Sequence, residues 1–187
     1  MRYLIAGGAL LVLIVAAWRV LYGLEGAIRS PTDYVIFVAI GYLLGSVPFG
    51  VIAGRVVGGV DVRQYGSGST GTTNVLRTVG RRAAVAVLLL DMGKSVVAVL
   101  LARLLTDSDG VEVATALAAI AGHIWPVFAG FRGGKGISVG WSALFVLSPI
   151  SGLVATLVGV PVIAVSRYVS LGSIIGSSLS LGMLVKL

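Results

Sequence analysis

Long apolar segments with few charged residues follow one another along most of this sequence, and this succession constrains the fold more than any single motif. Several of the segments approach the length of about 20 residues that an α-helix needs to cross a bilayer. Hydrophobic residues make up 57% of the chain and charged residues only 11%, whereas about 25% of the residues in a soluble domain are charged. The sequence therefore predicts an all-α fold: a polytopic integral membrane helical bundle with Gly-rich cytoplasmic loops.

We expect about seven spans, at residues 3–22, 34–53, 83–102, 113–129, 137–148, 149–165 and 171–187. The apolar run at 3–18 is interpreted as an uncleaved first helix that extends to about Tyr22, because no convincing small-residue cleavage site follows the run before the charged Arg19. The second is expected to kink at Gly45-Ser46-Val47-Pro48, since proline disturbs the interior of a helix. We accordingly divide the chain into an extra N-terminal helix with its connector at 1–33 and a membrane domain at 34–187.

One polar stretch, residues 61–82, interrupts the apolar pattern. It places Gly66, Gly68 and Gly71 among serine and threonine hydroxyls and includes Asn74. Four arginines accompany them: Arg63, Arg77, Arg81 and Arg82. Glycines let backbone N–H groups approach a ligand, and arginine side chains match phosphate oxygens. The stretch is interpreted as a loop that binds a polyanion. The alternative is a flexible basic loop that only determines topology, but the dense Gly/Ser/Thr/Asn run favours binding.

The distribution of arginines predicts the orientation in the membrane. The loop at 54–82 contains five arginines against Asp61 alone, so the positive-inside rule places it in the cytoplasm. Strict alternation then places 103–112 outside, and both 132–136 and 166–170 inside. This orientation predicts a cytoplasmic amino terminus and an external carboxyl terminus. Three polar clusters are therefore expected to meet at one cytoplasmic face.

The composition also excludes several classes of site. With no cysteine in the chain, disulfides, thiolate catalysis and Cys-type zinc sites are excluded. One histidine and seven acidic residues leave little from which to build any other metal site. The arginines behind the net charge of +7 lie in short loops between apolar spans, which suits anionic lipid headgroups rather than nucleic acid. The run Arg132-Gly133-Gly134-Lys135-Gly136 has two cations but lacks the spacing of a Walker A loop, so we exclude an NTPase.

Two ionisable residues lie inside the predicted span at 83–102. Asp91 and Lys94 are three residues apart, so they share one face of the helix and can pair. Ionisable groups at this depth are costly and usually functional. An internal ion pair that closes the bundle explains them equally well, and both interpretations stay open.

Six short motifs occur in a distinctive order: Gly45-Ser46-Val47-Pro48-Phe49-Gly50, Gly66-Ser67-Gly68 with Gly71-x-Thr73-Asn74-x-x-Arg77, Asp91-x-x-Lys94, Gly122-His123-x-x-Pro126-x-Phe128, Gly133-Gly134-Lys135-Gly136, and Arg167-Tyr168-x-Ser170. Each motif alone is weak evidence, whereas six in order on a small membrane protein are specific. From about Tyr34 to its end, the chain resembles the bacterial glycerol-3-phosphate acyltransferases that use acyl phosphate as donor (the PlsY family).

The resemblance implies transfer of an acyl chain from acyl phosphate to the 1-hydroxyl of glycerol 3-phosphate, giving lysophosphatidic acid for phospholipid biosynthesis. It implies contact with membrane lipids and no metal, nucleotide or other cofactor. The residues implied as catalytic are Ser67, Arg77, Asn74, His123 and Ser170. Those implied in substrate binding are Gly66, Gly68, Gly71, Arg132, Gly133, Gly134, Lys135, Gly136 and Arg167.

The individual roles stay open at this stage. Ser67 and Arg77 are expected to hold a phosphate and the region of the reacting carbonyl. His123 is the only imidazole and is either a general base or a structural hydrogen-bonding residue. For Ser67, hydrogen bonding is favoured over covalent catalysis, because no base lies near it in the sequence. A phosphate oxygen of the substrate can itself accept the proton.

The resemblance also implies an element beyond the six motifs. Members of the family continue through one more helix to a tail with a His-x-x-Asn motif, whereas this sequence ends at Leu187. We therefore expect that either a second polypeptide or a further part of the gene supplies that element to an active enzyme. The alternative function is a non-catalytic membrane protein that binds phosphate or phospholipid, or a small anion transporter. A transporter would more naturally show inverted repeats, and the sequence shows none.

Overall fold

The computed structural model describes residues 31–184, except for the side chains of residue 170 and residues 181–184. Eight α-helices lie in that range: α1 (Pro31–Gly45), α2 (Phe49–Gly58), α3 (Thr72–Thr78), α4 (Arg81–Thr106), α5 (Asp109–Ile124), α6 (Ile137–Leu147), α7 (Pro149–Ser166) and α8 (Val169–Leu184). Two single-turn 3-10 helices, Val62–Gln64 and Val127–Ala129, lie in the loops. Residues 31–184 contain no β-strand, and the predicted all-α fold is confirmed.

Four segments of the described range are long and apolar enough to cross a membrane: Pro31–Gly58, Arg81–Thr106, Asp109–Ala129 and Pro149–Ser166. Two shorter apolar helices, Ile137–Leu147 and Leu171–Ser180, coincide with the predicted spans at 137–148 and 171–187. The polytopic membrane bundle is thus confirmed. The predicted span at 3–22 lies outside the described residues, and the division of the chain into two parts stays a prediction.

The predicted kink in the second span is a complete break between two helices. α1 ends at Gly45 and α2 begins at Phe49. Pro48 lies immediately before α2, where its missing N–H costs little because the first turn of a helix has no intrahelical acceptors. The break redirects the chain so that Gly50 lies directly against the backbone carbonyl of Thr70, in the polar stretch.

The connection between α4 and α5 is shorter than the predicted loop at 103–112. Only Asp107 and Ser108 separate the two helices. Asp107 ends α4 with a left-handed φ of 46°, a conformation that short polar side chains tolerate. An ion pair of 2.7 Å between Arg103 Nη2 and Glu112 Oε2 then joins the two helices.

Small residues let α1 and α5 pack closely. A side-chain carbon at Gly45 would overlap the backbone of Ala119, and one at Gly122 would overlap the carbonyl of Tyr42. In lipid, the hydrophobic effect does not drive helices together, so close backbone approach through small residues supplies much of the association. This crossing places the end of α5, with His123, next to the break between α1 and α2.

α4 is the central helix and contacts α1, α2, α3, α5 and α6. Under the polar stretch, Val87 of α4 packs with Val62 and Val75 in a fully buried apolar cluster. Farther along α4, Ala98 packs with Ala119 and Val139. The polar stretch therefore rests on a packed base rather than on open lipid.

The α1–α5 crossing gives a direct stability prediction. Replacing Gly45 with alanine is expected to lower the free energy of unfolding by about 1–3 kcal/mol, because the added methyl group overpacks the contact with Ala119. The measurement is thermal unfolding of the purified protein in detergent. Gly93→Ala is the matched control, since a side-chain carbon at Gly93 meets nothing within 4 Å. Equal stability of the two variants would contradict the close crossing.

Candidate active site

Asp61 organises the start of the first loop, which we define as residues 59–71. Its carboxylate accepts hydrogen bonds from the Arg63 backbone N–H at 3.0 Å and from the Arg63 guanidinium at 2.7 Å. These bonds from the Arg63 side chain hold the pKa of Asp61 well below its usual range, so the carboxylate stays charged at neutral pH. Arg63 also donates to the carbonyl oxygen of Ala129 at 2.7 Å. The pair therefore fastens the first loop to the second loop, which comprises residues 125–136.

The side chain of Asn74 closes the first loop from within. Its Oδ1 accepts the N–H of Ser67 at 3.0 Å. The two protons on its Nδ2 are shared among the carbonyl oxygens of Val62 at 2.7 Å, Ser69 at 2.8 Å and Tyr65 at 3.1 Å. Asn74 is 1% exposed, and a buried amide bonded on both its oxygen and its nitrogen holds a loop in one conformation.

Gly66 shows why glycine is required in this loop. Its φ is +59°, in the left-handed region that side chains disfavour. A side-chain carbon there would also overlap Oδ1 of Asn74. Gly66 therefore serves the tight wrapping of the loop around Asn74.

The second loop folds back over the end of α5. The N–H of Gly134 donates to the carbonyl oxygen of His123 at 3.0 Å, and the N–H of Thr70 donates to the carbonyl oxygen of Gly133 at 3.3 Å. A side-chain carbon at Gly134 would overlap Nε2 of His123. The two loops are thus bonded to each other, and the second lies against the imidazole ring.

A cavity of about 460 Å³ lies between these loops and the start of α6. Three cations line it: Arg77 from α3, Lys135 from the second loop and Arg167 from the connection between α7 and α8. Among the described residues that line the cavity, none is a carboxylate. Hydroxyl groups of the first loop and α3 line it as well, namely Ser67, Ser69, Thr72 and Thr73. Cations and hydroxyls without acidic neighbours are suited to binding phosphate groups.

Eight of the predicted site residues line this cavity: Ser67, Gly71, Asn74, Arg77, His123, Lys135, Gly136 and Arg167. Others lie in the surrounding loops without lining it: Gly66, Gly68, Arg132, Gly133 and Gly134. For Gly66, Gly133 and Gly134 the structure provides a packing reason, and their part in substrate binding stays a prediction. The backbone of Ser170 lies in the first turn of α8, and its side chain lies outside the described residues.

The sequence profile described as glycerol-3-phosphate acyltransferase matches residues 35–186. The curated glycerol-3-phosphate acyltransferase of Synechococcus sp. (strain CC9902) is 49% identical over 143 residues, which cover 76% of this chain and 72% of that relative. That of Myxococcus xanthus (strain DK1622) is 49% identical over 146 residues, which cover 78% of this chain and 76% of the relative. The chain belongs to the glycerol-3-phosphate acyltransferase family. The resemblance inferred from the six motifs is confirmed.

Two solved structures are similar to this glycerol-3-phosphate acyltransferase family member. One is the crystal structure of PlsY (YgiH), an integral membrane glycerol 3-phosphate acyltransferase, in its glycerol 3-phosphate form. It has a TM-score of 0.75 and 38% sequence identity, and the match covers 81% of this chain and 76% of that one. The lysophosphatidic acid form of PlsY has a TM-score of 0.72 and 38% sequence identity, and the match covers 81% of this chain and 75% of that one. The similarity therefore includes the arrangement of the membrane helices.

Beneath the second loop, this acyltransferase family member contains a buried ionic cluster. The predicted pair is confirmed, because Lys94 Nζ lies 2.8 Å from Asp91 Oδ1. His123 joins the pair, with Nδ1 3.0 Å from Lys94 Nζ. All three side chains are buried. Among residues 31–184, no group of three or more His, Cys, Asp or Glu residues is arranged to hold a metal ion.

A second cavity of about 390 Å³ adjoins the first along α6. Apart from Lys135 and two serines, Ser173 and Ser177, its lining is apolar or glycine. Lys135, Gly136, Ile137 and Trp141 line both cavities. In this family member, a space lined by three cations thus lies directly beside a mainly apolar one.

We call the 460 Å³ cavity the cationic cavity. Sequence reasoning missed several of the residues that line it, among them Ser138 and Trp141. Trp141 also donates from its indole Nε1 to Thr156 Oγ1 at 3.0 Å, which fixes the ring between the cavities. The two residues are three positions apart, so they lie on the same face of α6. No local signal in the apolar span at 137–148 identifies either residue as part of a site.

Proposed function

We propose that this protein is a membrane enzyme that transfers an acyl chain from acyl phosphate to the 1-hydroxyl of glycerol 3-phosphate. The observation that carries the proposal is the junction of two cavities. One is lined by three cations and no described carboxylate, and the adjoining one is mainly apolar. Both proposed substrates carry a phosphate, and one carries an aliphatic chain that must leave lipid. Family members of known structure are described in glycerol 3-phosphate and lysophosphatidic acid forms, which supports the acceptor and the product.

In the proposed reaction, the 1-hydroxyl oxygen of glycerol 3-phosphate attacks the carbonyl carbon of the acyl phosphate. The new ester C–O bond forms, the bond between the carbonyl carbon and the phosphate oxygen breaks, and phosphate leaves with its electron pair. The hydroxyl proton passes to a phosphate oxygen of the substrate. Arg77, Lys135 and Arg167 hold the phosphates, while Ser67 donates a hydrogen bond toward the reacting region. Preorganised donors of this kind stabilise charge that develops in the transition state.

The remaining predicted residues take supporting places in this proposal. Asn74 acts through the first loop, which it holds in shape, and it therefore positions Ser67. Ser170 follows Arg167 closely in the third polar cluster, and we propose that its hydroxyl faces the same substrates.

The experiment is an acyl-transfer assay with the purified 187-residue protein, palmitoyl phosphate and radiolabelled glycerol 3-phosphate. Labelled lysophosphatidic acid is expected with palmitoyl phosphate and not with palmitoyl-CoA. Because members of the resembled family carry a His-x-x-Asn motif, a second polypeptide that contributes this motif is expected to raise the rate when it is co-reconstituted. A version of that polypeptide with His and Asn replaced by alanine is the control. Salt-dependent binding of glycerol 3-phosphate without transfer in either arm would favour the non-catalytic alternative.

We also propose that the cationic cavity opens to the cytoplasm, because the arginine-rich segment at 54–82 forms one side of it. The chain has no native cysteine, so single cysteines can report the orientation. Asp109→Cys, at the exposed start of α5, is expected to react with an impermeant maleimide on intact cells. Gln64→Cys, exposed in the first loop, is expected to react only after permeabilisation. Equal labelling of both on intact cells would contradict the orientation.

A further inference from the structure

The buried cluster of Asp91, Lys94 and His123 determines which nitrogen of His123 carries its proton. Lys94 Nζ lies 2.8 Å from Asp91 Oδ1, 3.0 Å from the carbonyl oxygen of Val47 and 3.0 Å from His123 Nδ1. A lysine ammonium has three protons and no lone pair. Its contact with His123 Nδ1 is therefore a hydrogen bond only if Nδ1 is unprotonated. The proton of a neutral ring then lies on Nε2.

The competing arrangement has Nδ1–H donating to Asp91, which would leave Nε2 free to act as a base. His123 Nδ1 is 3.5 Å from Asp91 Oδ1, beyond the 2.7–3.2 Å that is usual for N–H···O bonds. That arrangement would also direct the N–H of the ring at the Lys94 ammonium. A neutral Lys94 would relieve this clash, but Asp91, which is 1% exposed, would then be a buried carboxylate without a counter-charge. Such a group is strongly destabilising.

We propose that Lys94 is a positioning residue that holds His123 as the neutral Nε2–H tautomer, so that the ring offers the cavity a hydrogen-bond donor and not a general base. His123 lines the cationic cavity, and its Nε2 lies against Gly134. A neutral donor in this place suits an anionic oxygen of a bound substrate. Only the identity of that oxygen rests on the proposed function, since the tautomer follows from the contacts of Nδ1.

This tautomer constrains the chemistry of the site. A ring with a proton on Nε2 and a lysine ammonium on Nδ1 has no lone pair available to the attacking hydroxyl. The hydroxyl proton must therefore pass to another acceptor. His123 becomes a catalytic residue only in the sense that its N–H touches substrate, and Lys94 acts through it.

Nitrogen NMR tests the tautomer directly, because His123 is the only histidine in the chain. The protein is purified on a histidine-free tag, labelled with ¹⁵N-histidine, and studied in detergent at neutral pH by a long-range ¹H–¹⁵N correlation. The expected spectrum has a protonated Nε2 and an unprotonated Nδ1. A spectrum with the proton on Nδ1, or with protons on both nitrogens, would overturn the proposal.

The role of Lys94 is tested by Lys94→Met, which removes the ammonium while keeping a long side chain. The ring is then expected to move its proton to Nδ1, where Asp91 can accept it. An unchanged tautomer would show that Lys94 does not control the ring. The spectrum of the unsubstituted protein decides the tautomer even if this variant does not fold.

Kinetics give a second, independent readout. His123→Gln keeps an N–H donor and removes the imidazole, so kcat is expected to fall by about tenfold or less. The kcat of His123→Leu, which removes the donor, is expected to fall further than the kcat of His123→Gln. A loss of about 10²–10⁴-fold in His123→Gln, as expected for a missing general base, would contradict the proposal. If the unsubstituted protein shows no acyl transfer, the proposed function fails, and the NMR result still decides the tautomer.

Discussion

Replacing Arg77 or Lys135 with alanine is expected to lower kcat/KM for acyl transfer by roughly 10- to 150-fold each. Both side chains line the cationic cavity from different elements. Each is expected to supply one charge-assisted hydrogen bond to a substrate phosphate, and such a bond contributes about 1.5–3 kcal/mol. The measurement is steady-state transfer from palmitoyl phosphate, with each substrate varied in turn. The split between kcat and KM shows whether a contact is made in the ground state or only in the transition state.

Arg82→Ala is the matched control for these two variants. Arg82 is an exposed arginine of the same polar stretch, but it does not line the cavity. Its loss is expected to leave kcat/KM within about twofold, because exposed charges outside a site interact weakly through water. The losses of kcat/KM in Arg77→Ala and Lys135→Ala should become smaller as the salt concentration rises. Screening weakens phosphate binding most in the unsubstituted protein, which has both cations. Full activity of Arg77→Ala, or an equal loss in Arg82→Ala, would show that the cavity does not bind the phosphates.

Gly134→Ala is expected to reduce kcat by about 10²-fold, although it adds only one methyl group. A side-chain carbon at Gly134 would overlap Nε2 of His123, so either the second loop or the imidazole ring has to move. Lys135, the next residue, would move with the loop. A displacement of about 1 Å in groups that orient substrates is enough for a loss of this size.

The control for this variant is Gly93→Ala, the same change at a position of α4 with no neighbour within 4 Å. Gly93→Ala should retain its activity. The unfolding temperature of Gly134→Ala is measured as well, so that a loss of kcat is separated from a loss of stability. The spectrum of His123 in Gly134→Ala should differ from that of the unsubstituted protein. Unchanged kcat in Gly134→Ala would mean that the contact between Gly134 and the ring is not part of the working site.

The arrangement of the cavity explains why the phosphate contacts come from distant parts of the sequence. Arg77 belongs to α3, Lys135 to the second loop and Arg167 to the turn between α7 and α8. The first loop is held in shape by Asn74 and fastened to the second loop by Arg63. A cation on any of these elements is therefore positioned by the others, and the site depends on the packing of the whole described bundle.

Several features of this site could be predicted from the sequence, because they depend on local chemistry. The glycine and hydroxyl residues at 61–82 indicated a polar site, and several of them line the cationic cavity, although their binding of a ligand stays a prediction. The spacing of Asp91 and Lys94 indicated a pair on one helix face, which the structure contains. Other features had no local signal. Trp141 lies in an apolar span, and nothing in its neighbours indicates that its ring separates two cavities. The short connection at Asp107 was also missed, because a charged run of residues is typical of a loop as well as of a helix end.

The sequence by itself determined that this protein is a bundle of membrane helices joined by glycine-rich basic loops. Apolar length and the need to satisfy backbone hydrogen bonds within each segment act locally, so they can be read residue by residue. Only the tertiary structure decided that His123 meets Lys94, a residue 29 positions away on another helix. That contact depends on how closely α1, α4 and α5 approach each other. In lipid this distance depends on the fit of small residues across the helix contacts, which no single segment of the sequence specifies.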